Sequence, residues 1–224
     1  RLLIFSDEPV PEEVKKKFDD LLCRRSRGVP VAYLTGEKEF MSLEFYVNSD
    51  VLIPRPETEL LVEKVLGFLT DLEGDRVQQP EPSPCSPTTS YKSPRTNNAG
   101  IGAIPMPAYL VADVGTGSGA VAVSLAYYNS RTHLMASDIS LRALRVARRN
   151  AMRHDVAERV DFLRGDLLAP LLQQGTTGIG TVVAANLPYI PTADLQGLPL
   201  DVQYEPLTAL DGGGDGLDHY RRLI

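Results

Sequence analysis

The chain has 224 residues, 43% of them hydrophobic and 23% charged, with a net charge of −6. That is the balance of a globular chain with room for one large domain. It contains no apolar run of the ~18 residues that a membrane-spanning helix needs, and its acidity speaks against a protein built mainly to grip a bare nucleic-acid backbone.

The two cysteines, Cys23 and Cys85, stand in unrelated contexts without a paired or Cys/His spacing. They read as free thiols in a reducing compartment, the cytoplasm or an organelle reached by a removed targeting peptide, and no metal site is expected. The chain begins at Arg1 and stops within a helical run, which reads as a fragment.

In chain order, residues 11–25 place Val14, Phe18, Leu21 and Leu22 at helical spacing, and the expectation is an amphipathic helix packed on its own domain. Arg24, Arg25 and Arg27 at its end read as a solvated basic cluster. Residues 36–47 alternate apolar and polar, predicting a β-hairpin with its turn at Met41 and Ser42. In the run VLIPRPETE, two prolines impose an extended entry and hold Arg55 between them. A helix over 60–69 then buries Leu61, Val62, Val65, Leu66 and Leu69. Residues 71–107, rich in Pro, Ser, Thr and Asn, read as a mobile low-complexity insertion.

From Tyr109 the pattern becomes β-α-β-α. An apolar strand ends at Asp113 and is followed by Gly115, Gly117, Gly119 and an apolar helix. Glycines at that spacing let the chain reverse at positive φ and a ligand approach the backbone, with helix N–H groups beyond. A second strand, 132–137, leads to Asp138, 19 positions after Gly119. An acid about 20 residues past such a turn is placed to meet ribose hydroxyls. A helix over 141–153 and strands over 159–163 and 181–185 complete an α/β pattern with a parallel sheet. Asp113, Asp138, Asp166 and Asn186 each stand at a strand's carboxyl end, where ligands of such sheets bind.

The fourth strand ends in Asn186-Leu187-Pro188-Tyr189. A carboxamide, carbonyls stiffened by a proline and a flat ring suit a planar NH₂ group, either a side-chain amide or the amine of a base. His133, His154 and His219 form no nucleophilic arrangement with Ser or Cys in the sequence.

DVGTGSG, SDIS, RGDLL and NLPYIP together resemble the class I S-adenosylmethionine-dependent methyltransferases. GVPVAYLTGEKEF, VLIPRPETE and YEPLTALDGGGDGLDHYRRLI narrow the resemblance to the release-factor glutamine N5-methyltransferases, the PrmC/HemK family. The family's Asn-Pro-Pro-Tyr element carries Leu187 here in place of its first proline.

The resemblance implies a Rossmann-like parallel sheet, continued in the family beyond this chain's end, with a small N-terminal helical segment and hairpin. It divides the chain into a remnant of a helical substrate-recognition domain (1–29), a hairpin linker (30–53) and a donor-binding methyltransferase domain (54–224). It implies that Gly115, Thr116, Gly117, Ser118 and Gly119 line the methionine part of the cofactor, Asp138 holds the ribose, and Asp166 and Leu167 flank the adenine. Arg55, Pro56 and Thr58 close one side of the pocket. Asn186, Leu187, Pro188 and Tyr189 hold the target glutamine, with Asn186, Pro188 and Tyr189 carrying the chemistry and Asn186 also near the methyl donor. The partner implied is a peptide chain release factor, with no membrane and no nucleic acid as direct substrate. Two other readings stay open on the residues alone: an adenine-N6 nucleic-acid methyltransferase, and a non-catalytic module of the same fold.

Overall fold

A computed structural model describes residues 9–77, 109–174 and 180–224. Helix α1 spans Glu12–Ser26, with Glu12 and Glu13 in its first turn and Arg24 and Arg25 in its last, the charge order that opposes the helix dipole favourably. The expectation that it packs on its own domain fails. No residue of α1 is buried, and Val14, Phe18 and Leu22 are all exposed. The basic cluster at its end is partly used locally: Arg25 donates to the carbonyls of Gly28 and Val29 and pairs with Asp201 at 3.9 Å.

A short helix α2 (Val31–Thr35) ends on Gly36 at φ 77°. Strands β1 (Glu37–Phe40) and β2 (Leu43–Tyr46) follow, antiparallel, with Phe40 opposite Leu43. The two turn residues are Met41 and Ser42, as expected, and both hold positive φ, 50° and 55°. That conformation is costly for non-glycine residues, and tertiary bonds hold it here. The Met41 N–H donates to Glu59 Oε1 at 2.7 Å, and the Met41 carbonyl accepts from the Tyr128 hydroxyl at 2.6 Å. Phe40, Leu43, Phe45 and Val47 point inward.

A 3₁₀ turn over Pro56–Thr58 feeds helix α3, Glu59–Val77. Val62, Val65 and Leu69 are buried, with Leu61 and Leu66 half-buried beside them. The helix runs past 69, so the insertion expected to begin at Asp71 does not start there; the helical hydrogen-bond ladder absorbs residues 71–77 despite their polarity. The rest of that expectation, with Cys85, lies outside the described residues.

Strand β3 (Tyr109–Val114), helix α4 (Ala120–Tyr128), strand β4 (Leu134–Asp138) and helix α5 (Leu141–Arg153) come next. Strand β5 (Val160–Arg164), helix α6 (Ala169–Leu172), strand β6 (Gly180–Ala185) and helix α7 (Asp218–Leu223) follow them. The second and third strands begin later than the sequence implied, at Leu134 and Val160. Thr132 and His133 stay outside the ladder, and Arg159 closes a 3₁₀ turn. The four strands form one parallel sheet in the order β5-β4-β3-β6, with β3 between β4 and β6. Alternation along β3 sorts its faces: Val111 joins the core under α3, α4, α5 and the hairpin, whereas Leu110 and Ala112 meet Met135 and Leu171 on the opposite side.

Asn150 of α5, fully buried, ties three elements together. Its Nδ2 donates to the carbonyls of Tyr46 and Ser118, both at 2.9 Å, and its Oδ1 accepts the Tyr46 N–H at 2.8 Å. An apolar replacement leaves three backbone groups without partners in a dry site. Asn150→Leu is therefore expected to lower unfolding free energy by about 3 kcal/mol, measured by chemical denaturation. A change within the scatter of surface substitutions would refute the staple.

Candidate active site

A cavity of about 450 Å³ opens at the carboxyl ends of the parallel strands, the size of a small-ligand site. Asp113, Asp138, Asp166 and Asn186, from four successive strand ends, all line it. The topology brings these four together because neighbouring parallel strands end on the same edge of the sheet.

The glycine turn after β3 forms the floor. Gly115, Gly117 and Gly119 have φ values of 74°, 54° and 81°, conformations that glycine adopts at little cost. Gly119 has a second reason to be glycine: a Cβ there would stand 3.0 Å from the Ala147 backbone, so α5 could not pack so closely. Gly115, Thr116, Gly117 and Ser118 line the cavity, while Gly119 lies behind them.

The turn's N–H groups are largely spent inside the protein. Those of Gly115 and Thr116 donate to the Ser137 carbonyl at 2.9 Å each, and that of Gly119 to the Thr116 carbonyl at 2.8 Å. Gly117 donates to Asp138 Oδ2 at 2.9 Å, and Ala122, in the first turn of α4, to Asp113 Oδ2 at 3.1 Å. The free helix-start donors expected from the sequence are thus partly taken by two carboxylates. A pyrophosphate cradle needs such donors pointing at the ligand; this turn instead offers its backbone as a surface.

Asp113 is 2% exposed and accepts from Thr116 Oγ1 at 2.6 Å as well as from Ala122. Burial raises its carboxyl to about 6, against the opposing pull of those two bonds. Asp138 is also raised by burial, and N–H donations from Ser140 and Gly117 oppose the shift. Its Oδ1 holds Ser140, whose hydroxyl caps α5 at Ala143. Asp138 therefore serves as a turn-and-helix clamp and lines the cavity.

Past β5, Asp166 pairs with Arg222 of α7, and Leu167, at φ 48°, accepts the Ser137 hydroxyl on its carbonyl at 3.0 Å. Past β6, Asn186 Nδ2 donates to Thr58 Oγ1 at 3.0 Å. Leu187 is buried, with its side chain against the glycine turn where a Gly115 Cβ would stand 3.2 Å away. Its carbonyl accepts the Tyr220 hydroxyl at 3.1 Å. Asn186, Leu187 and Pro188 line the cavity. Tyr189 does not, and is 63% exposed.

The extended segment around Arg55 forms one wall. Arg55 and Thr58 line the cavity and Pro56 does not. Arg55 Nη2 pairs with Glu205 Oε1 at 2.5 Å, and the same carboxylate accepts the Ile53 N–H at 3.0 Å. Tyr33 fastens the segment further back by donating to the Val51 carbonyl at 2.6 Å, and burial pushes its phenol pKa up.

Glu205, Asp211, His219, Tyr220 and Arg222 were not singled out from the sequence, although their region carried the family resemblance. Asp211 is held below the usual carboxylate range by the Thr192 hydroxyl and the Gly213 N–H, and its carbonyl accepts from His219 Nε2 at 3.1 Å.

The parallel sheet with a glycine turn after its first strand and a strand-edge cavity defines a class I methyltransferase domain. A family model described as a methyltransferase domain matches residues 111–199, and one described as the PrmC N-terminal domain matches residues 1–36. Release factor glutamine methyltransferase of Moorella thermoacetica is 43% identical over 224 residues, covering 100% of this chain and 66% of that protein. The enzyme of the same name from Bacillus cereus is 36% identical, covering 100% of this chain and 67% of its own length. Among solved structures, the hMettl16 catalytic domain in complex with MAT2A 3'UTR hairpin 6 shares the fold at a TM-score of 0.50 and 12% identity, over 97% of this chain and 73% of that one. The chain belongs to the release factor glutamine methyltransferase family and spans about two thirds of the length of these relatives.

Among the described residues, no helix is long and apolar enough to cross a membrane, and no cluster of three or more His, Cys, Asp or Glu could hold a metal.

The buried Asp113 supplies a pH test. Its carboxyl is raised from 3.8 to about 6, so the folded state holds the proton more tightly than the unfolded chain. That contribution is full below pH 4 and disappears as pH rises through 6. Asp113→Asn keeps an oxygen for both donors and removes the titration. Measured by denaturation, wild type should lose on the order of 2–3 kcal/mol relative to the variant between pH 4 and pH 7. A difference that does not change with pH would show the carboxyl to be unshifted.

Proposed function

We propose that the protein transfers a methyl group from S-adenosylmethionine to the side-chain amide nitrogen of a glutamine in a peptide chain release factor. The observation that carries this reading is that Asn186 and the glycine turn line one cavity.

The lining fits such a donor. The turn presents backbone rather than a ring of open N–H groups, which suits a ligand with no phosphate. Asp50, Asp113, Asp138, Asp166 and Asp211 line the cavity. Of its basic residues, Arg55 is paired with Glu205 and Arg222 with Asp166. That excess of carboxylates favours a cationic ligand. On this reading Gly115, Thr116, Gly117 and Ser118 hold the amino-acid end, Gly119 shapes the turn from behind, and Asp138 accepts from the ribose hydroxyls. Asp166 and Leu167 flank the base, and Arg55 closes the side. Pro56 supports this wall from outside the lining, and Tyr189 is placed to meet an incoming substrate chain.

Bound S-adenosylmethionine supplies an electrophilic methyl on a sulfonium. The chain's own work is to aim a weak nucleophile at it. Asn186 Oδ1 is available to accept one hydrogen of the target amide. The Leu187 carbonyl, fixed by Tyr220 and followed by a residue without an N–H, keeps a second lone pair for the other. Holding both hydrogens weakens the delocalisation of the nitrogen lone pair into the amide π system and aims it along the line of transfer. With the donor bound, the amide nitrogen would gain its N–C bond as the donor's C–S bond is lost, and the spare amide proton would pass to water. Positioning of this kind can lower a barrier by about 7–11 kcal/mol.

We assign residues 54–224 to donor binding and transfer, 30–53 to the linking hairpin and 1–29 to substrate recognition. The match of residues 1–36 to the PrmC N-terminal domain and the exposed apolar residues of α1 support the last assignment.

Asn186→Ala should abolish methyl transfer to a release factor while leaving donor affinity within about threefold, because the lost amide faces the substrate. Mass spectrometry for one added methyl on a glutamine, with calorimetry for donor binding, checks both halves. Full activity in the variant would end the assignment.

A further inference from the structure

The resemblance placed Thr58 in the wall around the donor. The geometry points to a different job: we propose that the Thr58 hydroxyl is the positioning group that sets which way the Asn186 carboxamide faces. The inference rests on the reading of Asn186 as the group that holds the target amide.

An asparagine side chain presents an oxygen on one side and an NH₂ on the other, and rotation by half a turn about its last bond exchanges them. Only one arrangement serves a target NH₂, because only the oxygen can accept its hydrogen. Asn186 Nδ2 donates to Thr58 Oγ1 at 3.0 Å. That bond occupies the NH₂ side and leaves Oδ1 as the acceptor. Both residues line the cavity, so water would compete to turn the amide if nothing held it.

Thr58 is itself fixed from several directions. Its N–H donates to the Arg55 carbonyl at 3.0 Å, closing the 3₁₀ turn Pro56–Thr58. Upstream, Glu205 grips the segment twice, through the Arg55 guanidinium at 2.5 Å and the Ile53 N–H at 3.0 Å, with its side chain 1% exposed. A buried carboxylate gripping both a side chain and the backbone of one short segment leaves that segment little freedom. The hydroxyl at its end is therefore a fixed reference point, and Asn186, at the end of β6, takes its orientation from it. Two stretches 128 residues apart in the chain meet at this one bond.

The test uses the full-length protein with Thr58→Val, which keeps the shape and removes the hydroxyl, and Thr58→Ser, which restores it. Thr58→Ala serves if the valine variant folds poorly. Three quantities are read: kcat for methyl transfer to a release factor at saturating donor, the Kd of S-adenosylhomocysteine by calorimetry, and the Asn186 side-chain amide signals in NMR, assigned by their loss in Asn186→Ala. The expected result is a kcat lower by ~30-fold in Thr58→Val, the scale of a slightly misplaced reacting group, with recovery to within about threefold in Thr58→Ser. The Kd should stay within about threefold throughout. The amide signals should shift in the valine variant and return in the serine variant.

A Kd that rises in step with the loss of rate would make Thr58 a wall of the donor pocket and overturn the positioning role. So would an unshifted amide or a valine variant as fast as wild type. A wild-type protein that adds no methyl to glutamine would overturn the proposed function and this role with it, a result distinct from an active wild type unaffected by Thr58→Val.

Discussion

The rest of the site depends on one buried carboxylate at the end of the central strand. Asp113 leaves β3 where the chain must reverse into α4, and its Oδ2 accepts from both the Thr116 hydroxyl and the Ala122 N–H. Those bonds close the glycine turn and satisfy a donor at the start of α4 that the helix cannot satisfy itself. Desolvation opposes the charge and the two bonds offset part of that cost, which is why the carboxyl is raised only to about 6. A turn held from beneath in this way keeps its shape without a ligand.

Asp138 completes the same construction from the neighbouring strand. One oxygen takes the Gly117 N–H and the other the Ser140 N–H. Together with the Ser137 carbonyl, which takes the N–H groups of Gly115 and Thr116, the end of β4 commits three donors of the turn. The consequence is chemical. A glycine-rich turn whose N–H groups point inward offers a ligand close approach and carbonyl oxygen, and has little to give a phosphate. The same spacing of glycines and acid that could have served a dinucleotide here serves a family of methyltransferases.

The walls of the cavity arrive from distant stretches of chain, each held by a buried polar side chain that grips backbone. Asn150 binds the hairpin edge at Tyr46 and the glycine turn at Ser118; Glu205 binds the segment ahead of α3 at Ile53 and through Arg55. The hairpin and α5 share one apolar core, but apolar contact is not directional. The buried hydrogen bonds fix where the packed pieces sit, since any shift strands a polar group in a dry environment.

What the amino-acid order determined by itself is what depends on neighbours in the chain. The alternation in β1 and β2, the helical spacing in α3 and α5, and the three glycines at positive φ are local facts. The parallel sheet follows from strands alternating with helices, so Asp113, Asp138, Asp166 and Asn186 could be placed on one edge before any coordinates. Tertiary structure alone decided that Tyr189 stays outside the cavity while Thr58 faces Asn186, that Arg55 answers to Glu205, and that the exposed apolar residues of α1 have no cover among the described residues. Residues separated by 150 and 128 positions meet there. Nothing in a local pattern encodes such meetings, because they are selected by the packing of whole elements and by the cost of leaving a buried donor or acceptor unpaired.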